Sequence, residues 1–197
     1  MRRWLIALVL LTSAVVYAQA HLPARDMRIA WDRGAPKVSF SAKDLADERV
    51  RRELSGGLRK RLVVHVSSHF KGSNHALAHR TFGCAVTRDL WEDGYLVRIG
   101  TKSMRFKTVE QVLDHCLVVE GLFVGEPKNY ERNKGKDIYF FVRAEFNPIS
   151  QKQCRELIRP SGGSDAVGPI TVSIVRRRIC QAERDIEFRS EFLKVPQ

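Results

Sequence analysis

The chain has 197 residues, of which 34 are Lys or Arg and 22 are Asp or Glu, so its formal net charge is +12. This length suits one domain with a substantial hydrophobic core, and the positive charge favours contact with anionic surfaces such as acidic lipid, envelope polymers or an acidic protein patch. Aromatic residues are not interleaved with the basic ones as base stacking requires, which disfavours nucleic acid as a partner.

The first twenty residues have the pattern of a cleavable export signal. Arg2 and Arg3 precede an apolar run over 5–16, and Ala18-Gln19-Ala20 matches the A-x-A ending that a signal peptidase recognises. The run is shorter than the about 20 residues that span a bilayer, which favours cleavage near Ala18 or Ala20 over a retained membrane anchor. The sequence therefore predicts an exported protein, periplasmic or secreted, whose net charge falls from +12 to +10 when residues 1–20 are removed.

Residues 21–36 are predicted to be an N-terminal extension, and residues 37–197 a single domain. Cleavage after Ala20 would make His21 the first residue, and its amine and imidazole together would form a clamp for a copper ion. The alternative for this segment is a frayed chain end.

The apolar pattern changes several times between the period of a strand and that of a helix. Before residue 100 it predicts a strand over 37–40, a helix from a Ser41 and Asp44 capping box to about Leu54, and strands over 60–70, 81–86 and 95–99. Beyond residue 100 it predicts a helix capped by Thr108, a loop over 126–136, a strand over 138–146, a helix over 150–158, a loop over 160–168, a helix or strand over 169–175, and a final strand through Ile186, Phe188 and Phe192. The predicted fold class is α+β, with an antiparallel sheet of about five or six strands and two or more flanking helices.

All four cysteines, Cys84, Cys116, Cys154 and Cys180, follow the signal, and an oxidising compartment would permit two disulfides there. Their pairing is undetermined, because four cysteines allow three connectivities. Buried free thiols are the alternative. No C-x-x-C pair occurs, which disfavours both a redox motif and a thiolate zinc site.

Several packing and turn motifs follow one another over about residues 38–158. They are Glu53-Leu54-Ser55-Gly56-Gly57-Leu58 before the strand over 61–66, residues 78–99 with Trp91 and Tyr95-Leu96-Val97, Phe106-Lys107-Thr108-Val109-Glu110-Gln111-Val112-Leu113, and the strand over 138–146. In this order they resemble a family of exported proteobacterial proteins of about 200 residues that is built on a domain of unknown function. The resemblance implies a secreted or periplasmic α+β module and carries over no catalytic or ligand residues. Residues 159–197 depart from it.

Four of the six histidines, His65, His69, His75 and His79, fall in one predicted hairpin. A register that pairs His69 with His75 also pairs His65 with His79, and opposed Cβ atoms about 5 Å apart would let two imidazoles share a zinc or copper ion. One ion cannot join both pairs, because four residues along a strand span about 13 Å. A solvent-facing polar ladder and a response to pH through histidine charging are the alternatives.

Two basic clusters are candidate contacts for an anionic partner: Arg59, Lys60 and Arg61, and Arg176, Arg177 and Arg178. A solvated basic face is the alternative. On the first predicted helix, Arg52 has the four-residue spacing to pair with Glu48.

No catalytic motif occurs in its required context. Residues 161–165 have the composition of a hydrolase loop but follow no strand into a helix, so they are predicted to be a linker. The sequence predicts a non-catalytic binding module of the cell envelope that contacts an anionic envelope component or an envelope protein. It predicts no cofactor apart from the alternative function, which is zinc or copper binding through the hairpin histidines.

Overall fold

The computed structural model describes residues 22–73, 75–149, 154 and 181–197. Strands make up about half of them and form one sheet of three strands and one of seven. Only three short α-helices accompany the sheets in these ranges. The predicted α+β class with a sheet of five or six strands is therefore wrong, because the described part of the chain is a β-rich fold.

The smaller sheet is antiparallel and consists of β1 (Arg28–Asp32), β2 (Ala35–Ser41) and β7 (Val118–Phe123), in the order β1-β2-β7. The strand predicted over 37–40 is confirmed within β2. The predicted extension over 21–36 contains β1, which pairs with β2 along its whole length. Neither β1 nor β7 was predicted. β1 is only five residues long and has no fully buried side chain, and burial does not alternate regularly along β7.

The larger sheet contains β3 (Lys60–Phe70), β4 (Ala76–Asp89), β5 (Gly94–Ile99), β6 (Lys102–Phe106), β8 (Asp137–Phe146), β9 (Arg184–Arg189) and β10 (Leu193–Lys194). β8 and β3 are central neighbours, β4, β5 and β6 follow on one side, and β9 and β10 both pair with the other side of β8. Of the residues in β4, only residues 85–89 pair with β5. Residues 76–84 of β4 therefore have no partner strand on that side within the described residues.

The core lies between the two sheets. Along β8 the residues Ile138, Phe140, Val142, Ala144 and Phe146 are buried and alternate with half-buried ones, as in a strand with one face in the core. Buried side chains of both sheets belong to one apolar cluster. The strands predicted over 60–70, 95–99 and 138–146 are confirmed, and the one predicted over 81–86 is part of the longer β4.

Helix α1 (Glu48–Leu54) begins later than predicted. Residues 43–45 form a 3₁₀ turn, and the N-cap is Asp47, whose carboxylate accepts a hydrogen bond from the backbone N–H of Val50 at 2.9 Å. The capping box predicted at Ser41 and Asp44 is therefore wrong, because Asp47 is itself a strong N-cap directly before the apolar positions of the helix. The predicted end at Leu54 is confirmed.

Helix α2 (Val109–Leu117) is confirmed, with a capping box in which Thr108 and Gln111 bond each other's backbone. Cys116 on its buried side forms a disulfide with Cys84 of β4, across a Cα–Cα distance of 5.9 Å. The bond ties the helix to the larger sheet. Cys154 is also disulfide-bonded, and Cys180 lies outside the described residues.

Some predictions concern residues that the structure does not describe. They are the signal over 1–20, most of the helix over 150–158, the loop over 160–168 and the helix or strand over 169–175. In the predicted loop over 126–136, the short helix α3 (Lys128–Glu131) is present. The final strand is confirmed for Ile186 and Phe188 in β9, whereas Phe192 lies between β9 and β10.

Candidate functional site

The hairpin of β3 and β4 does not have the register that would pair its histidines. His65 lies opposite Thr81, and His79 lies opposite Ser67. The predicted pairing of His65 with His79 is therefore wrong, and both histidines face other polar side chains instead.

Near the turn a β-bulge shifts the register again, so that His69 lies opposite Ala76 and not opposite His75. The second predicted histidine pair is wrong as well. The core explains the observed register, because it brings Leu62 opposite Cys84, and both of these side chains are buried. Hydrophobic pairing of this kind sets the register of a strand that has one buried face.

His65 is held by hydrogen bonds to both neighbouring strands. Its Nδ1 lies 3.0 Å from Thr81 Oγ1, and its Nε2 lies 3.1 Å from Glu145 Oε2. Glu145 also forms an ion pair with Arg143 at 2.9 Å. Both ring nitrogens are therefore in use, and a metal ion would have to displace one of these partners.

His69 belongs to an aromatic cluster on the same side of the sheet. Its Nε2 lies 2.8 Å from Ser67 Oγ, and its ring stacks on Tyr139 with the centroids 5.3 Å apart. Burial lowers the pKa of His69, which favours the neutral ring. Within the described ranges no group of three His, Cys, Asp or Glu side chains is close enough together to hold a metal ion. The copper clamp proposed for His21 lies outside them.

The cluster of Arg59, Lys60 and Arg61 is divided by the start of β3. Lys60 turns towards carboxylates, with its Nζ 2.7 Å from Glu53 Oε2 and 3.5 Å from Glu183 Oε1. Arg59 and Arg61 are exposed and form no ion pair within the described residues. The cluster therefore presents two cations to solvent, while Arg176, Arg177 and Arg178 of the other cluster are not described.

On α1, the predicted pair of Arg52 with Glu48 is confirmed at 3.8 Å. Arg49 likewise pairs with Glu53 at 3.0 Å, and Arg51 pairs with Glu110 of α2. The positive charge of this helix is therefore largely balanced by neighbouring carboxylates. That leaves Arg59 and Arg61 as the outward charges of this region.

Glu53 should make the stability of the fold sensitive to acid. Its hydrogen bond with Lys60, followed by those with Glu183 and Arg49, lowers the pKa of Glu53 from 4.5 to about 2. A lowered carboxyl pKa gives stability that is full above the unfolded-state pKa and is lost as the pH falls through the folded-state value. Urea unfolding of Glu53→Gln should therefore show a smaller loss of unfolding free energy than the parent between about pH 5 and about pH 2. Glu48→Gln, at an exposed position of the same helix, is the control and should behave like the parent. Equal acid sensitivity of all three proteins would contradict this role of Glu53.

Two loops at one end of the larger sheet expose large apolar side chains. Leu58, between α1 and β3, is 73% exposed, and Leu90 and Trp91, between β4 and β5, are 70% and 97% exposed. The loops are in contact, since a Cβ on Gly57 would lie 3.5 Å from Leu90 Cδ1. We call Leu58, Leu90 and Trp91 the apolar tip.

The turn that carries Trp91 is held by its own side chains. Asp89 Oδ1 accepts hydrogen bonds from the backbone N–H groups of Trp91 at 3.1 Å and Glu92 at 3.2 Å. The strands predicted over 81–86 and 95–99 flank this turn, but the sequence pattern did not predict its exposed apolar side chains. The signal that was missed is the pair Leu90-Trp91 inside a hairpin turn, where short polar residues are usual.

No family model, no curated protein and no solved structure matches the chain. Among the described residues, no helix has the length and apolar character needed to cross a membrane.

Proposed function

We propose that the chain is an exported, non-catalytic binding module of the cell envelope whose basic surface contacts an anionic partner. The resemblance to exported proteobacterial proteins over about residues 38–158 supports the compartment. The observation that carries the proposal is the positive charge that remains exposed after the side chains have formed their ion pairs.

Exposed cations without an ion pair in the described part of the chain are found on both sheets and in the loops. They are Arg28, Arg59, Arg61, Lys71, Arg80, Arg98, Lys102, Lys107, Arg132, Lys134, Lys136 and Lys194. Fewer exposed carboxylates lack an ion pair in the described part of the chain. They are Asp26, Glu120, Glu131 and Glu191. Such an excess attracts anionic surfaces and weakens as salt screens it.

The non-catalytic part of the proposal rests on the surroundings of one hydrogen-bonded chain. Glu145, His65 and Thr81 have the order of an acid, a base and a hydroxyl, which is also the order in a catalytic triad. Thr81, however, lies within β4, where successive backbone N–H groups point to opposite edges of the strand. Acyl transfer needs converging donors for the oxyanion. The hydrogen bonds that join Glu145, His65 and Thr81 are therefore better suited to stabilising the three neighbouring strands than to catalysis.

Binding to anionic material should depend on salt and on the cations beside the apolar tip. We expect the protein to co-sediment with phosphatidylglycerol vesicles or with an immobilised anionic polysaccharide at about 0.1 M salt and to be released at about 1 M, because the Debye length falls from about 10 to about 3 Å. Arg59→Gln/Arg61→Gln should weaken binding about tenfold or more, since each cation near an anionic surface contributes about 1 kcal/mol.

The control for that experiment is Arg28→Gln/Arg132→Gln, which removes the same charge from other parts of the surface. It should weaken binding less than the change at Arg59 and Arg61. The proposed function would be contradicted if the protein bound neither the vesicles nor the polysaccharide, or if its binding were the same at both salt concentrations.

A further inference from the structure

The apolar tip is unusual because folding gives its side chains almost no burial. Trp91 is 97% exposed. Leu90 beside it in the same turn and Leu58 in the loop between α1 and β3 are each at least 70% exposed. Single exposed apolar residues are normal on soluble proteins, but a contiguous group marks a contact surface. Leu90 and Trp91 lie on the turn between β4 and β5, and Leu58 lies on the adjoining loop between α1 and β3.

The tip is presented by a fixed framework. The hydroxyl groups of Ser55, at the end of α1, and Tyr95, in β5, are 2.9 Å apart, which joins the segments that lead into the two loops. Arg88 binds Asp93 at 2.9 Å across the turn of the hairpin. These bonds restrain the segments that carry the tip, which reduces the backbone entropy lost on binding.

Two arginines form ion pairs with the carboxylates around the tip. Asp93 is bound by Arg88, and Glu92 is bound by Arg105, whose guanidinium also lies 3.8 Å from Asp89. Two arginines thus offset two of the three negative charges that would repel an anionic surface.

Two further cations beside the tip have no acidic partner in the described residues. Arg59 directly follows Leu58, and Lys107 lines a pocket of about 250 Å³ that Glu92 and Asp93 of the hairpin turn also line. Exposed apolar groups surrounded by available cations complement a surface that is apolar inside and negative at its boundary. An anionic lipid bilayer has this arrangement.

We infer that the apolar tip inserts into the interfacial layer of a bilayer that contains anionic lipid, with Trp91 as the deepest anchor and Arg59 and Lys107 at the headgroups. The inference rests on the proposed function, because it specifies lipid as the anionic partner. Trp is enriched at this depth of membranes, since its ring is apolar and its N–H remains a donor. A protein pocket would also accept an aromatic side chain, but three strongly exposed apolar side chains accompanied by cations without an acidic partner favour an anionic bilayer surface.

The test uses the full chain with Trp4→Phe and Trp31→Phe, which leaves Trp91 as the only tryptophan. Vesicles of phosphatidylglycerol and phosphatidylcholine should shift its fluorescence emission to shorter wavelength and protect it from iodide quenching. Vesicles of phosphatidylcholine alone should do neither. Because the signal comes from Trp91 itself, binding through the N-terminal segment cannot produce it.

Leu90→Ala/Trp91→Ala in the otherwise unchanged chain should lower the affinity for the anionic vesicles about tenfold to a hundredfold, as expected when one or two large apolar side chains no longer transfer from water. Phe123→Ala is the control, since Phe123 is an exposed aromatic residue on the smaller sheet, at 43% exposure. It should bind as tightly as the parent.

The outcomes separate the inference from the proposed function. Vesicle binding with Trp91 still open to iodide, or binding to the anionic polysaccharide but not to vesicles, would overturn the inference and leave the function standing. Protection of Trp91 by envelope proteins but not by lipid would also overturn it and would assign the tip to a protein partner. Absence of salt-sensitive binding to any anionic material would remove the proposed function and the inference together.

Discussion

The double substitution Cys84→Ala/Cys116→Ala is expected to lower the free energy of unfolding by about 3–4 kcal/mol. The disulfide closes a loop with a sequence separation of 32, and both cysteines are only 2% exposed. The disulfide stabilises the fold mainly by restricting the conformational freedom of the unfolded chain. Opening the loop restores that freedom and so lowers the free energy of unfolding. Urea unfolding measures the loss directly, and alanine avoids burying an unpaired hydroxyl as serine would.

The single substitutions supply the control for this experiment. Cys84→Ala or Cys116→Ala alone already breaks the link, so each should cost nearly as much as the double change, and the effects should be far from additive. Chemical reduction is less informative, because it also opens the disulfide that involves Cys154. A loss below about 1 kcal/mol would show that the link adds little to the stability of the fold.

Phe188→Ala is expected to cost about 3–5 kcal/mol, the usual range for removing a buried aromatic side chain. Phe188 of β9 is completely buried and meets Phe40 of the smaller sheet edge to face, with ring centroids 5.8 Å apart. Arg25 covers the ring with its guanidinium 4.4 Å from the centroid. Alanine would leave a cavity where the two sheets and the N-terminal segment meet.

Phe192→Ala is the matched control for this prediction. Phe192 lies four residues further along the same edge of the sheet and is 42% exposed. Its removal should cost about 1 kcal/mol or less, as at most surface positions. Similar losses for the two variants in urea unfolding would show that β9 is not packed into the core.

The sequence pattern predicted the elements whose apolar period is long and regular. β8 alternates without interruption over ten residues, and α2 combines a capping box with a buried stripe, so both were identified close to their true bounds. Short strands were missed because their burial comes from tertiary contacts. β7 is the clearest example, since it begins directly at the end of α2 and pairs with β2, which is distant in sequence. These omissions made the fold seem richer in helix than it is.

For the candidate site, the sequence pattern predicted which element carries each residue but not which residues lie opposite one another. Four histidines do lie on the β3–β4 hairpin, yet the bulge before His69 and the core pair of Leu62 with Cys84 set a register that the polar residues alone did not reveal. Leu90 lies against the loop that contains Gly57, more than thirty residues earlier, and no local pattern contains that information.

Residues 76–84 of β4 leave a row of backbone groups that could pair with a strand from another molecule, which is how sheets begin to aggregate. The chain limits this risk with a neighbouring loop. Asn129 Nδ2 donates to the carbonyl of Leu77 at 3.2 Å, and Gly125 lies so close that a Cβ there would be 2.4 Å from Ala78 Cβ. Exposed Arg80 adds repulsion between two such edges. Resistance to self-association therefore depends on this small loop as well as on the overall charge.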